Sequence, residues 1–327
     1  MKYYWLAGLT AMVSAQATAA LGPPGLSGEV SLLLGYAQQE TNFDTDNAVK
    51  EAPLNSEADT ESGVTLFPLG QFRYTFGAEN NQLVYLGTSR EDIATGLIAF
   101  EIGYQFETAH NSTMAFSVLP TIVDDETWQD PFVVNQARKE TDVSGNALRF
   151  QYNNILDQGI SLDLAIYDRD IDSEQSGTSI PGLTPSDLNQ LQRDGDGIYS
   201  RLAWAVSTGE TSTLQPELTI NRFSADGDAM SMTRYGVGLT YLTKQGRHGY
   251  AISGEYALAD FDEANPVFGK TQEDHEVGLN FAYEYDQFMD WENWGLNALA
   301  GYSVVDSNID FYNETQLFLG VGLSYKF

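Results

Sequence analysis

The sequence predicts an all-β protein: a transmembrane, antiparallel, up-and-down β-barrel of about 14 strands. Three observations carry this expectation. Apolar side chains recur at every second residue along most of the chain, which places them on one face of a strand. Most of these runs extend over about 9–12 residues, enough to cross a bilayer at a tilt, against about 5–6 for an ordinary strand. The links between them alternate short and long, as the inner turns and outer loops of membrane barrels do.

Taken in order, the chain begins with Lys2, an apolar run Tyr3 to Val13, and the small-residue stretch Ala15-Gln16-Ala17-Thr18-Ala19-Ala20. This reads as a secretory signal peptide over residues 1–20, cut after Ala19 or Ala20, with 21–327 as the barrel domain. No later run is long and apolar enough for a transmembrane helix. The first strand, 28–38, carries Val30, Leu32, Leu34 and Tyr36, and the second carries Phe72, Tyr74 and Phe76. The same period returns in Ile98 to Phe106, Met114 to Val118, Leu148 to Tyr152, Ile160 to Ile166 and Leu202 to Val206. It continues through Leu214 to Ile220, Tyr235 to Tyr241, Tyr250 to Leu258, Val277 to Tyr285 and Leu296 to Tyr302. Short links are expected at 78–81, 108–111, 156–158, 207–212 and 244–247, and long ones near 39–65, 121–144, 170–196, 260–274 and 304–314. The pair 82–88 and 94–107, around Thr88 to Asp92, is the least regular; without it the tally falls to about 12, even in either case. The last strand, 315–327, alternates strictly from Leu317 to Tyr325 and Phe327. That ending resembles the C-terminal signal by which such barrels engage the barrel-assembly machinery.

Composition narrows the function. The 327 residues hold 16 Lys plus Arg against 46 Asp plus Glu, a formal charge of −30. So acidic a chain is no partner for nucleic acid. Cysteine is absent and histidine numbers three, which argues against thiolate chemistry and a His-built metal site, so no cofactor is expected.

The polar face holds the candidate site. Arg73, Glu101, Arg149, Asp163, Arg201, Glu217 and Glu255, with Arg234, Glu276 and Glu284, alternate with the apolar residues. Alternation alone does not separate a soluble sandwich from a membrane barrel. In a barrel these groups line the lumen, where they either border a conducting pore or pair across it and close it. About 14 strands enclose more room than the eight whose interior side chains fill, which favours a passive channel for small hydrophilic, preferentially cationic solutes. A closed or loop-plugged barrel with a structural or surface-interaction role is the alternative.

Two further motifs invite chemistry. His275, beside Asp274 and Glu276 and within reach of Asp260 or Asp262, is the single candidate general base for a surface hydrolase. An exposed histidine on an acidic rim explains it more simply, and no enzyme is expected. Asp194-Gly195-Asp196 and Asp226-Gly227-Asp228 resemble fragments of calcium loops but lack the closing bidentate Glu, and turn formation accounts for them. Diffuse attraction of divalent cations by acidic outer loops is expected instead.

Several segments resemble a Gram-negative family catalogued as a domain of unknown function, DUF2860. They include Phe67-Pro68-Leu69-Gly70-Gln71-Phe72-Arg73-Tyr74, Leu86-Gly87-Thr88-Ser89-Arg90-Glu91-Asp92, Glu126-Thr127-Trp128-Gln129-Asp130-Pro131 and Asp306-Ser307-Asn308-Ile309-Asp310-Phe311-Tyr312. The resemblance implies an exported barrel in the bacterial outer membrane, among lipid and lipopolysaccharide, and implies no activity.

Overall fold

The computed structural model describes residues 21–88, 100–121 and 125–327. The expected signal peptide, 1–20, and the link at 89–92 lie outside them. Seventeen strand segments form one sheet: β1 Gly25–Glu40, β2 Thr60–Phe76, β3 Gln82–Thr88, β4 Phe100–Glu107, β5 Thr113–Pro120, β6 Asp125–Trp128, β7 Glu140–Ser144, β8 Asn146–Ile155 and β9 Ile160–Ile171. They continue with β10 Gly195–Trp204, β11 Val206–Ser207, β12 Ser212–Ala225, β13 Met232–Gln245, β14 His248–Asn265, β15 Lys270–Asp286, β16 Trp294–Ser307 and β17 Glu314–Lys326.

Three short segments prolong longer ones. β6 pairs with β7, and β7 with β9, above the β5–β8–β9 ladder, while β11 extends β10 along β12. The wall therefore has 14 antiparallel strands. It closes where β1 pairs with both β2 and β17, from Glu29↔Lys326 to Glu40↔Thr315 on the second edge. Phe327 N–H donates to the Gly28 carbonyl at 3.0 Å, and Gly28 N–H returns the bond to Phe327 at 2.9 Å.

The two faces of the wall differ in chemistry. The apolar residues that point outward are even-numbered on the wall strands from β1 to β12 and on β14 and β16, and odd-numbered on β13, β15 and β17. Leu32, Leu66, Ile102, Ile166, Leu218 and Val321 are each more than half exposed. A band of this kind, continued on every wall strand from β1 to β17, is stable only against lipid. Closure also leaves no unpaired sheet edge in the hydrocarbon. The molecule is a membrane-spanning barrel of the bacterial outer-membrane type. A concavity of about 950 Å³, lined by Val84, Ile102, Phe116 and Ile166 among others, belongs to this lipid-facing side.

The long links fold together at one end. Phe132, Leu191, Ile309, Phe311 and Tyr312 form a buried core there, joined by Phe43, Leu54, Ile180, Leu183, Met230, Val267 and Phe268. These residues come from links 41–59, 129–139, 172–194, 226–231, 266–269 and 308–313. The expected long link at 260–274 is shorter than the sequence suggested. β14 and β15 pair as far as Asn265↔Lys270, across an irregularity between Asp260 and Ala264. Polar residues above the apolar band end the hydrophobic alternation while the backbone ladder continues. The link 226–231 was not marked by the alternation either, because its six residues interrupt two runs of the same period.

Candidate functional site: the barrel interior

The charged residues singled out from the sequence lie on the inward face of the wall, and the register decides their partners. Arg149 on β8 grips Asp163 on the adjacent β9, Nε to Oδ1 at 3.0 Å and Nη2 to Oδ2 at 2.6 Å. Its Nη1 also lies 3.7 Å from Glu101 on β4. Glu101 in turn accepts from the Tyr85 hydroxyl at 3.3 Å and from the Ser117 hydroxyl. Arg201 on β10 donates to Glu217 on β12 at 2.8 Å. Thr219 donates to Glu255 at 3.3 Å, and Arg234 joins Glu255 at 3.0 Å and Glu276 at 2.7 Å. Arg73, inward on β2, makes no ion pair among the described residues.

These pairs run sideways along the wall, between neighbouring strands or strands two apart. None of them reaches across the bore. Buried pairs need good geometry and further hydrogen bonds to offset desolvation, and the bidentate Arg149–Asp163 contact supplies both. Nearer the inner turns, Lys326 meets Glu284 and, at 2.6 Å, Asp286, which Lys244 also approaches at 2.9 Å.

Polar contacts lock the outer links around their apolar core. Arg138 stacks 4.3 Å over the Trp128 ring and donates to the carbonyls of Asn42 and Asn47 at 2.6 and 2.5 Å. Arg193 bonds Glu174 at 2.6 Å and the Trp128 carbonyl at 2.6 Å. Asp130 accepts from the amides of Phe132, Gly177 and Ser179 at 3.0, 3.0 and 2.8 Å. Burial pushes Arg138 down to about 10. Burial and the neighbouring Arg138 charge lower Lys50, which caps carbonyls of Ser56 and Glu57. Burial raises Asp194 above the usual carboxylate range, against a bond from the Ile171 amide. None of these loop contacts was legible as a motif.

The remaining sequence candidates are placed as follows. His275 is exposed, with Nδ1 at 2.7 Å from the Tyr256 hydroxyl and Nε2 at 3.6 Å from Glu273. Asp274 is buried and accepts from Gln272, and Asp262 is held by Arg222 at 2.7 Å. The two Asp-Gly-Asp segments meet, since the Asp226 amide donates to the Asp194 carbonyl at 2.7 Å. No group of three or more His, Cys, Asp or Glu is arranged to hold a metal among the described residues. Tyr325 and Phe327 sit at the closing seam, Tyr325 5.3 Å from Trp294 and Phe327 5.6 Å from Phe72 between ring centroids.

The chain is similar in architecture to several solved barrels. An anion-selective porin from Comamonas acidovorans is 13% identical, with a TM-score of 0.42, covering 92% of this chain and 98% of that one. The outer membrane channel DcaP of Acinetobacter baumannii is 9% identical, with a TM-score of 0.40 and coverage of 98% and 100%. The CymD monoaromatic hydrocarbon channel is 7% identical, with a TM-score of 0.45 and coverage of 94% and 90%. No curated protein matches the chain. The family profile described as "Protein of unknown function (DUF2860)" matches residues 25–326. With that match spanning nearly the whole barrel, the chain belongs to the DUF2860 family.

Proposed function

We propose that the protein is a porin-like passive channel for small water-soluble solutes, with a preference for cations. The observation that carries this reading is the sideways pairing of the inner-wall charges. Arg149, Arg201 and Arg234 are each held to the wall by carboxylates of nearby strands, which leaves the bore unbridged by them. Carboxylates outnumber guanidiniums in that series, and the outer links are acidic as well. Fields focused between low-dielectric walls raise the local concentration of cations and exclude anions. In this reading Arg73, Glu101, Arg149, Asp163, Arg201, Glu217 and Glu255 set the potential of the bore. Tyr325 and Phe327 serve assembly, residues 1–20 are removed on export, and the chain catalyses no reaction. Acidic outer links gather divalent cations beside lipopolysaccharide.

Reversal potentials of the purified barrel in planar bilayers test the proposal. Under a potassium chloride gradient the potential should take the sign of cation preference. It should shrink as rising salt shortens the screening length from about 8 Å at physiological strength toward about 3 Å at 1 M. Anion preference overturns it. The packed core of the outer links favours a second reading, a loop-plugged barrel with a surface role. A barrel that folds and inserts without conducting would select that reading.

A further inference from the structure

We propose that the inner turn 287–293, between β15 and β16, is a membrane-interface anchor whose apolar side chains lie in the phospholipid headgroup layer. The turn carries Phe288, Met289 and Trp291. Met289 is 65% exposed and Trp291 50%. Neither stands alone. The Trp291 ring lies 6.0 Å from that of Trp294, and Phe288 meets Trp291 edge to face at 6.5 Å. Trp294 begins β16 on its outward face and lies 5.3 Å from Tyr325. Tyr325 adjoins Phe327, which adjoins Phe72. These rings border the inner edge of the lipid-facing band. Contact with Trp294 therefore sets Trp291 on the lipid side of the wall and not beneath the bore.

Distance decides what covers the turn. The hydrocarbon is about 30 Å thick and the whole bilayer about 40–45 Å, which leaves a polar layer of roughly 5–8 Å on each side. A ring one aromatic contact beyond Trp294 falls within that layer. Indole suits it, with an apolar body and an N–H that needs a partner. A scattered apolar residue on a wet surface is ordinary, but this strip is continuous with a face that already meets lipid. The backbone is also committed to one shape. Gln287, Met289 and Asp290 hold φ of 56°, 55° and 63°, a left-handed region that bulky L-residues seldom adopt. The Asp290, Trp291 and Trp294 amides donate to the carbonyls of Gln287, Phe288 and Trp291 at 2.9, 3.1 and 3.2 Å. Arg247 of the neighbouring turn grips Asp290 at 2.6 Å. Such strain persists only where its surroundings over-determine it, and here it accompanies the exposure of Met289.

Cysteine is absent from the chain, so Met289→Cys and, in the polar turn 77–81, Glu79→Cys each accept a single nitrobenzoxadiazole label. Both labelled barrels are reconstituted in phosphatidylcholine vesicles, with nitroxide lipids or with iodide on both sides of the membrane. The label at 289 should emit to the blue of that at 79. A nitroxide at the headgroup should quench it several-fold more strongly than iodide does, and the order should reverse at 79. Labels at 289 and 79 that behave alike would leave the turn in water and overturn the inference. Protection at 289 from both quenchers would overturn it too, by showing protein over the turn, a second copy or another chain. Stronger quenching by a nitroxide deep in the acyl chains would overturn the headgroup placement. A second measurement keeps Met289 intact: the share of tryptophan emission quenched by the headgroup nitroxide should fall in Trp291→Phe, and an unchanged share overturns the anchor.

Discussion

Arg138 shows how much of this protein's outer surface depends on one side chain. Its guanidinium spans the carbonyls of Asn42 and Asn47 while lying on Trp128, so it joins links distant in sequence. Replacing it with Met takes this donor from the buried Asn42 carbonyl and the half-buried Asn47 carbonyl, at a cost of about 2–4 kcal/mol to the folded links. Faster hydrogen exchange across 41–59 should report it. Lys in its place keeps the charge but cannot form the same two-pronged contact, and should recover only part of the protection. Asp194 adds a pH dependence of known sign. Its carboxyl is held above the ordinary value of 3.8 by burial, so the charged form opposes folding of link 172–194. That link should gain stability as pH falls from neutral through the raised value toward 3.8. Asp187 acts in the opposite sense, since bonds from Thr184 lower it, and its contribution is lost only below 3.8. Slower exchange of 172–194 at mildly acid pH, abolished by Asp194→Asn, is the expected result. Alternation in the sequence told which face Glu101, Arg149 and Asp163 occupy, because the period of two is intrinsic to a strand. It did not tell that Arg149 takes Asp163 rather than a carboxylate across the bore. That choice is made by register, which single-residue periodicity does not carry.

Among the elements, the strands were more legible than the links. Each wall strand announces itself by outward apolar residues, but those residues mark the lipid band rather than the full ladder. Hence β14 runs from His248 to Asn265, well past the last apolar position of its alternation, Leu258. The packing of the outer links was invisible for the reverse reason. Phe132, Leu191 and Phe311 have no period, since each comes from an irregular segment, and only the closed barrel brings them together. Truncating Phe311 to Ala should loosen this core by about 3–5 kcal/mol. Current through the outer mouth should then become noisier, and protease should reach 172–194 sooner. In intact cells, protease should cut the exposed stretches near 51–53 and 181–186 and spare the turns at 78–81 and 244–247. Cleavage confined to those turns would invert the orientation of the barrel.

For the whole molecule, closure is the property from which the rest follows. Strand number and closure were readable because an even, closed, alternating wall permits few other solutions. Whether the bore conducts depends on side-chain partners and on link packing, which such rules leave open. The seam has an equally definite expectation. Phe327→Asp puts a carboxylate beside Phe72 in a contact now made between aromatic rings, and folded, heat-modifiable protein should fall while unfolded chain accumulates. Normal yields would remove the assembly role of the C-terminus. The partner of the first strand is the strand farthest from it along the barrel's chain, Glu314–Lys326. Every incomplete product therefore carries two open sheet edges, whose amides and carbonyls no hydrocarbon can satisfy. A chain that stops short of Glu314 is kept out of the membrane by its own geometry, before any protease inspects it.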